Sequence, residues 1–268
     1  MQYSVLMSVY ISERPEFIDE CLKSLASQTL KADEIIIVED GPLSEEVRTT
    51  IDGWERELPI KRLALTVNVG LGLALNKGLA ICKNELVARM DTDDICSPNR
   101  FQLQVNRFLS DPNVDILGGT IAEFESNIHK IDNYRTVPTG KEINRYIKYR
   151  NPINHMTVMF KKSAITSAGG YLDLMFMEDY YLWIRCFKNG CQIDNLEDVL
   201  VYARTGNGMH SRRRGSTYIR SELALHKIRR KYLGVNFLIN FSISSIRIVP
   251  RLLTSRGVQF IYNSILRK

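Results

Sequence analysis

Three carboxylates fall within four residues at Asp91-Thr-Asp93-Asp94, directly after the apolar run Leu86-Val-Ala-Arg-Met90. A run of that length has the size of a buried strand, so the acids crowd one strand end. Like charges that close repel, and carboxylates withdrawn from water are costly unless a cation or strong donors meet them. A hard divalent ion, Mn2+ or Mg2+, removes that cost, prefers oxygen ligands and keeps open positions for a substrate's phosphate oxygens. A polar turn with aspartate capping the next helix is the competing reading, and D-x-D alone does not decide between them.

Other residues add chemistry at similar places. Asp40 closes the apolar run Glu34-Ile-Ile-Ile-Val-Glu39 and precedes Gly41-Pro42. There it can shape an Asx turn or accept a hydrogen bond from the imide N–H of a uracil. Asn68-Val-Gly70, with Gly72 and Gly78 behind it, lets backbone approach a ligand closely at a helix start, but its spacing is not that of a dinucleotide fingerprint. Glu178-Asp179 stands before an amphipathic stretch, where acids favour the positive end of a helix. The longer pattern, Gly169-Gly-Tyr171, a short loop, Glu-Asp, then Tyr-Tyr-Leu-Trp183, exceeds what a helix end requires.

The elements that must position these groups are read from periodicity. Strand-like runs over 3–10, 34–39, 61–65 and 86–90 alternate with helical patterns over 15–28, 44–57 and 71–82. Continuous apolar strands separated by amphipathic helices predict a parallel sheet covered on both faces, with ligands beyond the carboxyl ends of its strands. At that edge residues 8–11, 39–41 and 91–94 should meet. After Ser97-Pro98, read as an N-cap followed by proline at the first helical position, residues 99–109 predict a helix. Strands over 114–124, 134–137 and 157–160, a polar helix near 141–148, a helix over 178–188 and an extended segment over 192–203 complete the body.

Size and composition set the class. With 268 residues, 44% hydrophobic and 25% charged, the chain has the make-up of a soluble globular protein able to bury a sizeable core. Its five cysteines are scattered, without zinc-finger spacing, and predict reduced thiols in a cytosolic protein. The opening MQYSVLMSVY lacks the basic and long apolar regions of a signal peptide, so no export is expected. The net charge is +6, yet residues 223–268 hold nine Lys or Arg and no Asp or Glu, which leaves the rest net acidic. The basic character belongs to the tail, and the body need not bind nucleic acid.

Taken together, residues 1–215 resemble the inverting family 2 glycosyltransferases of the GT-A fold. The resemblance rests on Ser4-Val-Leu-Met-Ser-Val-Tyr10, Glu34 to Gly41, Asn68-Val-Gly70, Arg89-Met-Asp-Thr-Asp-Asp94 and Glu178-Asp179 followed by Trp183. The chain is similar to the bacterial subgroup that builds O-antigens, capsules and exopolysaccharides. The resemblance implies a Rossmann-like, mostly parallel α/β sheet flanked by helices, with a C-terminal helical basic tail. It divides the chain into a nucleotide-sugar-binding half (1–96), an acceptor-binding half (97–215) and a membrane-associating tail (216–268).

By the same resemblance, Asp40 would hold uracil with Val9, Glu13, Asn68 and Gly70 beside the nucleotide. Arg89 would line the crevice and Asp91 would face ribose or metal. Asp93 would ligate Mn2+ or Mg2+ on the diphosphate, and His210, from a late loop, would complete the metal site or touch the diphosphate. Asp179 would be the general base and Glu178 its neighbour, while Trp183 would meet the acceptor, and His155 would either contact the acceptor or its phosphate or make a structural hydrogen bond. The implied reaction moves a hexose, galactose or glucose, from a UDP-sugar to a saccharide on undecaprenyl diphosphate. The leaving UDP needs charge stabilisation rather than a proton, and the acceptor hydroxyl needs a base.

The tail has no apolar run near the ~20 residues required to span a bilayer. It predicts amphipathic helices on the anionic cytoplasmic leaflet, placing the enzyme peripherally at the inner membrane. A solvated helical extension or a dimer contact is the alternative for that segment. For the whole chain, the alternatives are a metal-dependent nucleotidyltransferase, which lacks its phosphate loop here, and a basic nucleic-acid-binding protein, which the acidic crevice disfavours.

Overall fold

Strands that are apolar on both faces require helices on both sides of a sheet. The computed structural model, which describes residues 1–206 and 215–252, has that arrangement. Its strands are β1 (Tyr3–Val9), β2 (Glu34–Glu39), β3 (Ile60–Ala64), β4 (Leu86–Arg89), β5 (Ile95–Cys96), β6 (Val114–Phe124), β7 (Asn133–Arg135), β8 (Met159–Lys161) and β9 (Gln192–Arg204). They join one sheet in the order β3-β2-β1-β4-β8-β6-β9-β5, with β7 on β6. The first four run parallel, Val5 lying between Ile35 and Ala88. β8 pairs antiparallel with both β4 and β6, so the sheet continues from the first half of the chain into the second.

The two faces bury different residues. Val5, Met7, Ile35 and Ile37 pack toward α1 (Pro15–Ala26), α2 (Glu45–Trp54) and α4 (Arg100–Ser110). Leu6, Ile36 and Val38 pack toward α3 (Leu71–Ile81), α6 (Lys162–Ser167) and α7 (Glu178–Lys188). Gly78 permits the approach of α3, since a Cβ there would sit 2.5 Å from Leu6 Cδ1 and 2.6 Å from Val38 Cγ2.

Three local differences from the sequence expectation have long-range causes. β5 is only two residues long and exists because it pairs with Val201 and Tyr202 of β9. The helix expected near 141–148 is a single turn, α5 (Ile143–Tyr146), preceded by a 3-10 turn. Asn99, rather than Ser97, is the residue preceding α4. Ser97 is committed elsewhere, its amide donating to Leu200 and its carbonyl accepting from Gln28.

Fully buried Arg100 ties α4 to the sheet by donating to the Arg89 carbonyl at 2.8 Å and to Gln104 at 3.1 Å, and burial pulls its pKa down. Two further helices, α8 (Gly215–Leu233) and α9 (Phe237–Leu252), complete the described chain, with α8 against α7 and α9 against α8. Among the described residues no helix is long and apolar enough to cross a membrane.

Candidate active site

The carboxyl edge of the parallel strands is knitted by Asp40. Its amide donates to the Val9 carbonyl at 2.7 Å, and its two carboxylate oxygens accept from the Val69 and Gly70 amides at 2.7 and 3.0 Å. Asp40 therefore caps α3, whose N-cap Gly70 has no side chain for the task. Two of the roughly four lone-pair sites of the carboxylate remain. Asn68 donates its side-chain amide to the Asp40 carbonyl, and Gly41 (φ 91) sits so close that a Cβ would lie 2.8 Å from the Asn68 nitrogen. The Val9 side chain is fully buried in the core, and its backbone carbonyl is what reaches this edge.

One strand further on, Asp91, Asp93 and Asp94 present carboxylate oxygens that all lie within 4.8 Å of one another. Burial first, and then the charges of Asp93 and Asp91, push the Asp94 carboxyl well above its ordinary range. Asp94 accepts the Arg204 amide at 2.8 Å, and Arg204 also donates to the Asp93 carbonyl. Both terminal nitrogens of buried Arg89 grip Asp91, which neutralises part of the cluster. Glu13 accepts from the Thr92 hydroxyl, which brings the end of β1 to the middle of the D-x-D. An oxygen-only donor set with concentrated negative charge fits a hard divalent cation. His210 lies outside the described residues.

The second acidic pair opens α7. Asp179 accepts from Asn151 Nδ2 and from the Tyr180 amide, each at 2.7 Å. Glu178 lies against α3, its Cγ 3.5 Å from the Cβ position at Gly72, and burial raises its pKa, with Asp179 adding to the rise. Preceding them, Phe176 holds a φ of 69, a left-handed conformation that costs a non-glycine residue roughly 1–2 kcal/mol. Asn76 fastens the adjoining loop to α3 by donating to the Tyr171 carbonyl at 2.7 Å and accepting its amide at 2.8 Å.

The Tyr171 hydroxyl meets His155 Nε2 at 2.8 Å, and the phenol lies within the fields of Arg89, Asp179 and Asp91 together. Burial, then the Arg89 charge, drives His155 well below its usual pKa, so the imidazole is neutral.

Asp179 lines a cavity of about 340 Å3 together with Asn151, His155 and three arginines, Arg135, Arg150 and Arg247. Trp183 is absent from its walls. That tryptophan is wholly buried in the core, its ring centre 6.1 Å from that of His155.

The sequence model of glycosyl transferase family 2 matches residues 4–167. The chain belongs to that family. It is 41% identical to the amylovoran biosynthesis glycosyltransferase AmsE of Erwinia amylovora, over 97% of each chain. It is 39% identical to the Escherichia coli UDP-Gal:alpha-D-GlcNAc-diphosphoundecaprenol beta-1,3-galactosyltransferase, over 100% of this chain and 97% of that one. The fold matches that of S. aureus TarS 1–349 in complex with UDP-GlcNAc, with a TM-score of 0.69 and 19% identity over 99% of this chain and 76% of that one. This chain is a GT-A glycosyltransferase, as the motifs imply.

Several residues that hold the candidate site together are not legible in the sequence. Asn151 precedes a proline in a loop, and nothing local connects it with Asp179, 28 positions away. Arg204 ends β9 and stacks on Phe17 and Phe124, 4.1 and 4.7 Å from their ring centres, while its donors reach the D-x-D. Asn76 lies between Gly72 and Gly78 and carries no local sign of its partner, 95 positions away. The cavity arginines come from three separate segments and have no common motif.

Proposed function

We propose that this glycosyltransferase inverts the configuration of a hexose as it moves it from a UDP-sugar to a saccharide carried on a lipid diphosphate. The carrying observation is Asp179 on the wall of an arginine-lined cavity, in a fold that gathers Asp91, Asp93 and Asp94 just past the carboxyl end of β4. Galactose is the first donor sugar to test, because the Escherichia coli relative is named for its transfer, with glucose next. The same relative's name supports undecaprenyl diphosphate as the acceptor's carrier, and the name of AmsE, an amylovoran biosynthesis glycosyltransferase, supports a bacterial surface polysaccharide as the product's destination.

In this reading residues 1–96 take the nucleotide. Asp40 uses a remaining lone pair for the uracil imide, with Asn68 and Gly70 beside it and Glu13 held near the nucleoside by Thr92. Arg89 fixes Asp91 toward the ribose side. Asp93, with its neighbours, is the group to hold Mn2+ or Mg2+, which when bound supplies Lewis-acid stabilisation of the departing diphosphate. His210 remains a candidate for that site.

Residues 97–215 take the acceptor in the cavity. Asp179, oriented by Asn151 and the Tyr180 amide, removes the proton from the attacking hydroxyl. Attack opposite the leaving UDP gives inversion. Glu178 faces the donor side, next to α3. Arg135, Arg150 and Arg247 suit the phosphates of the acceptor, as guanidinium pairs with phosphate oxygens in a fixed fork. Neutral His155 offers a hydrogen bond to the acceptor sugar without adding charge. Residues 216–268 place the enzyme peripherally on the cytoplasmic face of the inner membrane, where a lipid-linked acceptor resides.

The test is a screen of UDP-sugars against a synthetic GlcNAc-diphosphate-lipid with Mn2+, with Asp93→Ala and Asp179→Asn alongside. Transfer with inversion, lost in both variants, is expected. Undiminished transfer by either variant removes the role assigned to that residue.

A further inference from the structure

The helix α9 has its polarity reversed. Its inward stripe is Asn240, Ser244 and Arg247, at i, i+4 and i+7, and its outward residues include Leu238 at 72% exposure and Phe241 at 58%, with Phe237, Ile246 and Val249 near half exposed. A helix packed on a soluble body normally presents the opposite pattern.

The inward stripe is held by hydrogen bonds to α8. Fully buried Arg229 of α8 donates to Asn240 Oδ1 at 2.7 Å, to Glu222 Oε1 at 2.9 Å and to Ser244 Oγ at 2.9 Å. Asn240 donates to the His226 carbonyl, and Arg247 donates to Glu222 Oε2 at 3.4 Å and to the Tyr149 carbonyl at 2.8 Å. Rotating α9 to hide its apolar face would break this network, stripping Arg229 of Asn240 and Ser244 and Glu222 of Arg247. The polarity is therefore built into the fold, and Arg229 and Arg247, two of the cations counted in the basic tail, face inward.

We propose that the outer face of α9 inserts into a lipid bilayer at headgroup depth, with the acceptor cavity held against the membrane by Arg247. The charge around the face selects this occupant. The exposed charges on α8 are Arg220, Lys227, Arg230 and Lys231, all cationic, and Glu222, the last acid in the chain, is fully buried. Anionic headgroups complement an apolar face beside a helix whose exposed charges are all cationic, with Arg230 5.2 Å from the centre of the Phe237 ring. A two-fold contact with a second copy would bring like charges together.

Arg247 joins the two faces, since it lines the Asp179 cavity from a helix whose other side is apolar. An acceptor anchored by its lipid would then reach Asp179 without leaving the bilayer. This placement rests on the reading of a lipid-borne acceptor, whereas insertion of the helix does not require it.

The test uses the full chain. Flotation with phosphatidylglycerol-containing vesicles is compared for wild type and Leu238→Asp/Phe241→Asp, and Leu238→Trp is examined for fluorescence quenching by brominated lipid. The double variant should float at least about tenfold less well, the effect expected from withdrawing one large apolar anchor. Its melting temperature and its turnover of UDP-galactose on a short-chain, water-soluble acceptor should be unchanged. Turnover on a polyprenyl-diphosphate acceptor in vesicles should fall with flotation, and the emission that the introduced indole adds to wild-type fluorescence should be quenched.

Equal flotation by both proteins, or an introduced indole that brominated lipid leaves unquenched, overturns the proposal. So does a lipid-free wild-type dimer that the double variant converts to monomer. Flotation and quenching are read without any sugar, so insertion stands or falls separately from glycosyl transfer.

Discussion

Replacing Asp179 by asparagine keeps the shape of the side chain and removes its charge. In the structure one carboxylate oxygen accepts from Asn151 and the other from the Tyr180 amide, both at 2.7 Å. Asparagine can satisfy one donor, but its NH2 then faces the other, a mismatch costing about 1–3 kcal/mol of stability. Loss of a positioned base costs about 10²–10⁴-fold in rate, or roughly 3–5 kcal/mol of barrier. The two losses are separable, because thermal melting reads the first and kcat with radiolabelled UDP-galactose and GlcNAc-diphosphate-lipid reads the second. UDP affinity by calorimetry should stay within about twofold, since Asp179 lies at the cavity rather than the nucleotide edge. Asn151→Ala supplies an internal check. With one donor to the carboxylate gone, the pKa of the base rises, and the acid limb of the kcat profile moves to higher pH. A fall in kcat of less than about tenfold for Asp179→Asn, with the protein folded, would refute the assignment of the base.

Glu178→Gln tests the buried neighbour. Burial raises the Glu178 carboxyl, so the folded protein holds a proton that the unfolded chain releases. Its contribution to stability is therefore greatest below the ordinary carboxylate pKa of about 4.3 and is lost as pH rises through the folded value. The glutamine variant should melt higher than wild type at neutral pH, with the gap closing near pH 4, and an equal gap at both pH values would contradict this. Gly41→Ala forces a side chain onto φ 91 and toward the Asn68 nitrogen, so calorimetry should show a loss of at least ~2 kcal/mol and weakened UDP binding. Wild-type stability would mean that the Asp40–Asn68 junction is not tight. Asp93→Ala should abolish the gain in UDP affinity produced by Mn2+, measured by titration with and without the ion. A gain equal to that of wild type would move the metal elsewhere.

Much of this enzyme could be read from local pattern. The strands at Tyr3–Val9, Glu34–Glu39 and Leu86–Arg89 are apolar on both faces, a property with few structural solutions, and their carboxyl ends mark the ligand edge before any coordinate is known. The acids at 91–94 and 178–179 stand out because dense charge beside an apolar run is costly, and that cost is visible residue by residue. What the chain could not disclose locally were the partners. Asp179 depends on Asn151, the D-x-D on Arg204, and the loop at Tyr171 on Asn76, each supplied by a distant segment.

Residue type alone also misassigned the inside and outside of the molecule. Val9 and Trp183 suit a ligand as well as they suit a core, and only packing shows both to be wholly enclosed. Arg229 and Arg247 count as tail cations in a list of charges, yet contact between α8 and α9, Arg229 with Asn240 and Ser244 and Arg247 with Glu222, turns them inward and leaves Leu238 and Phe241 outside. Sequence determines which residues resist burial or exposure, because that preference belongs to each side chain. The neighbours that overrule the preference are decided by the fold, since a buried charge is tolerable only where a particular opposite charge has been brought to it.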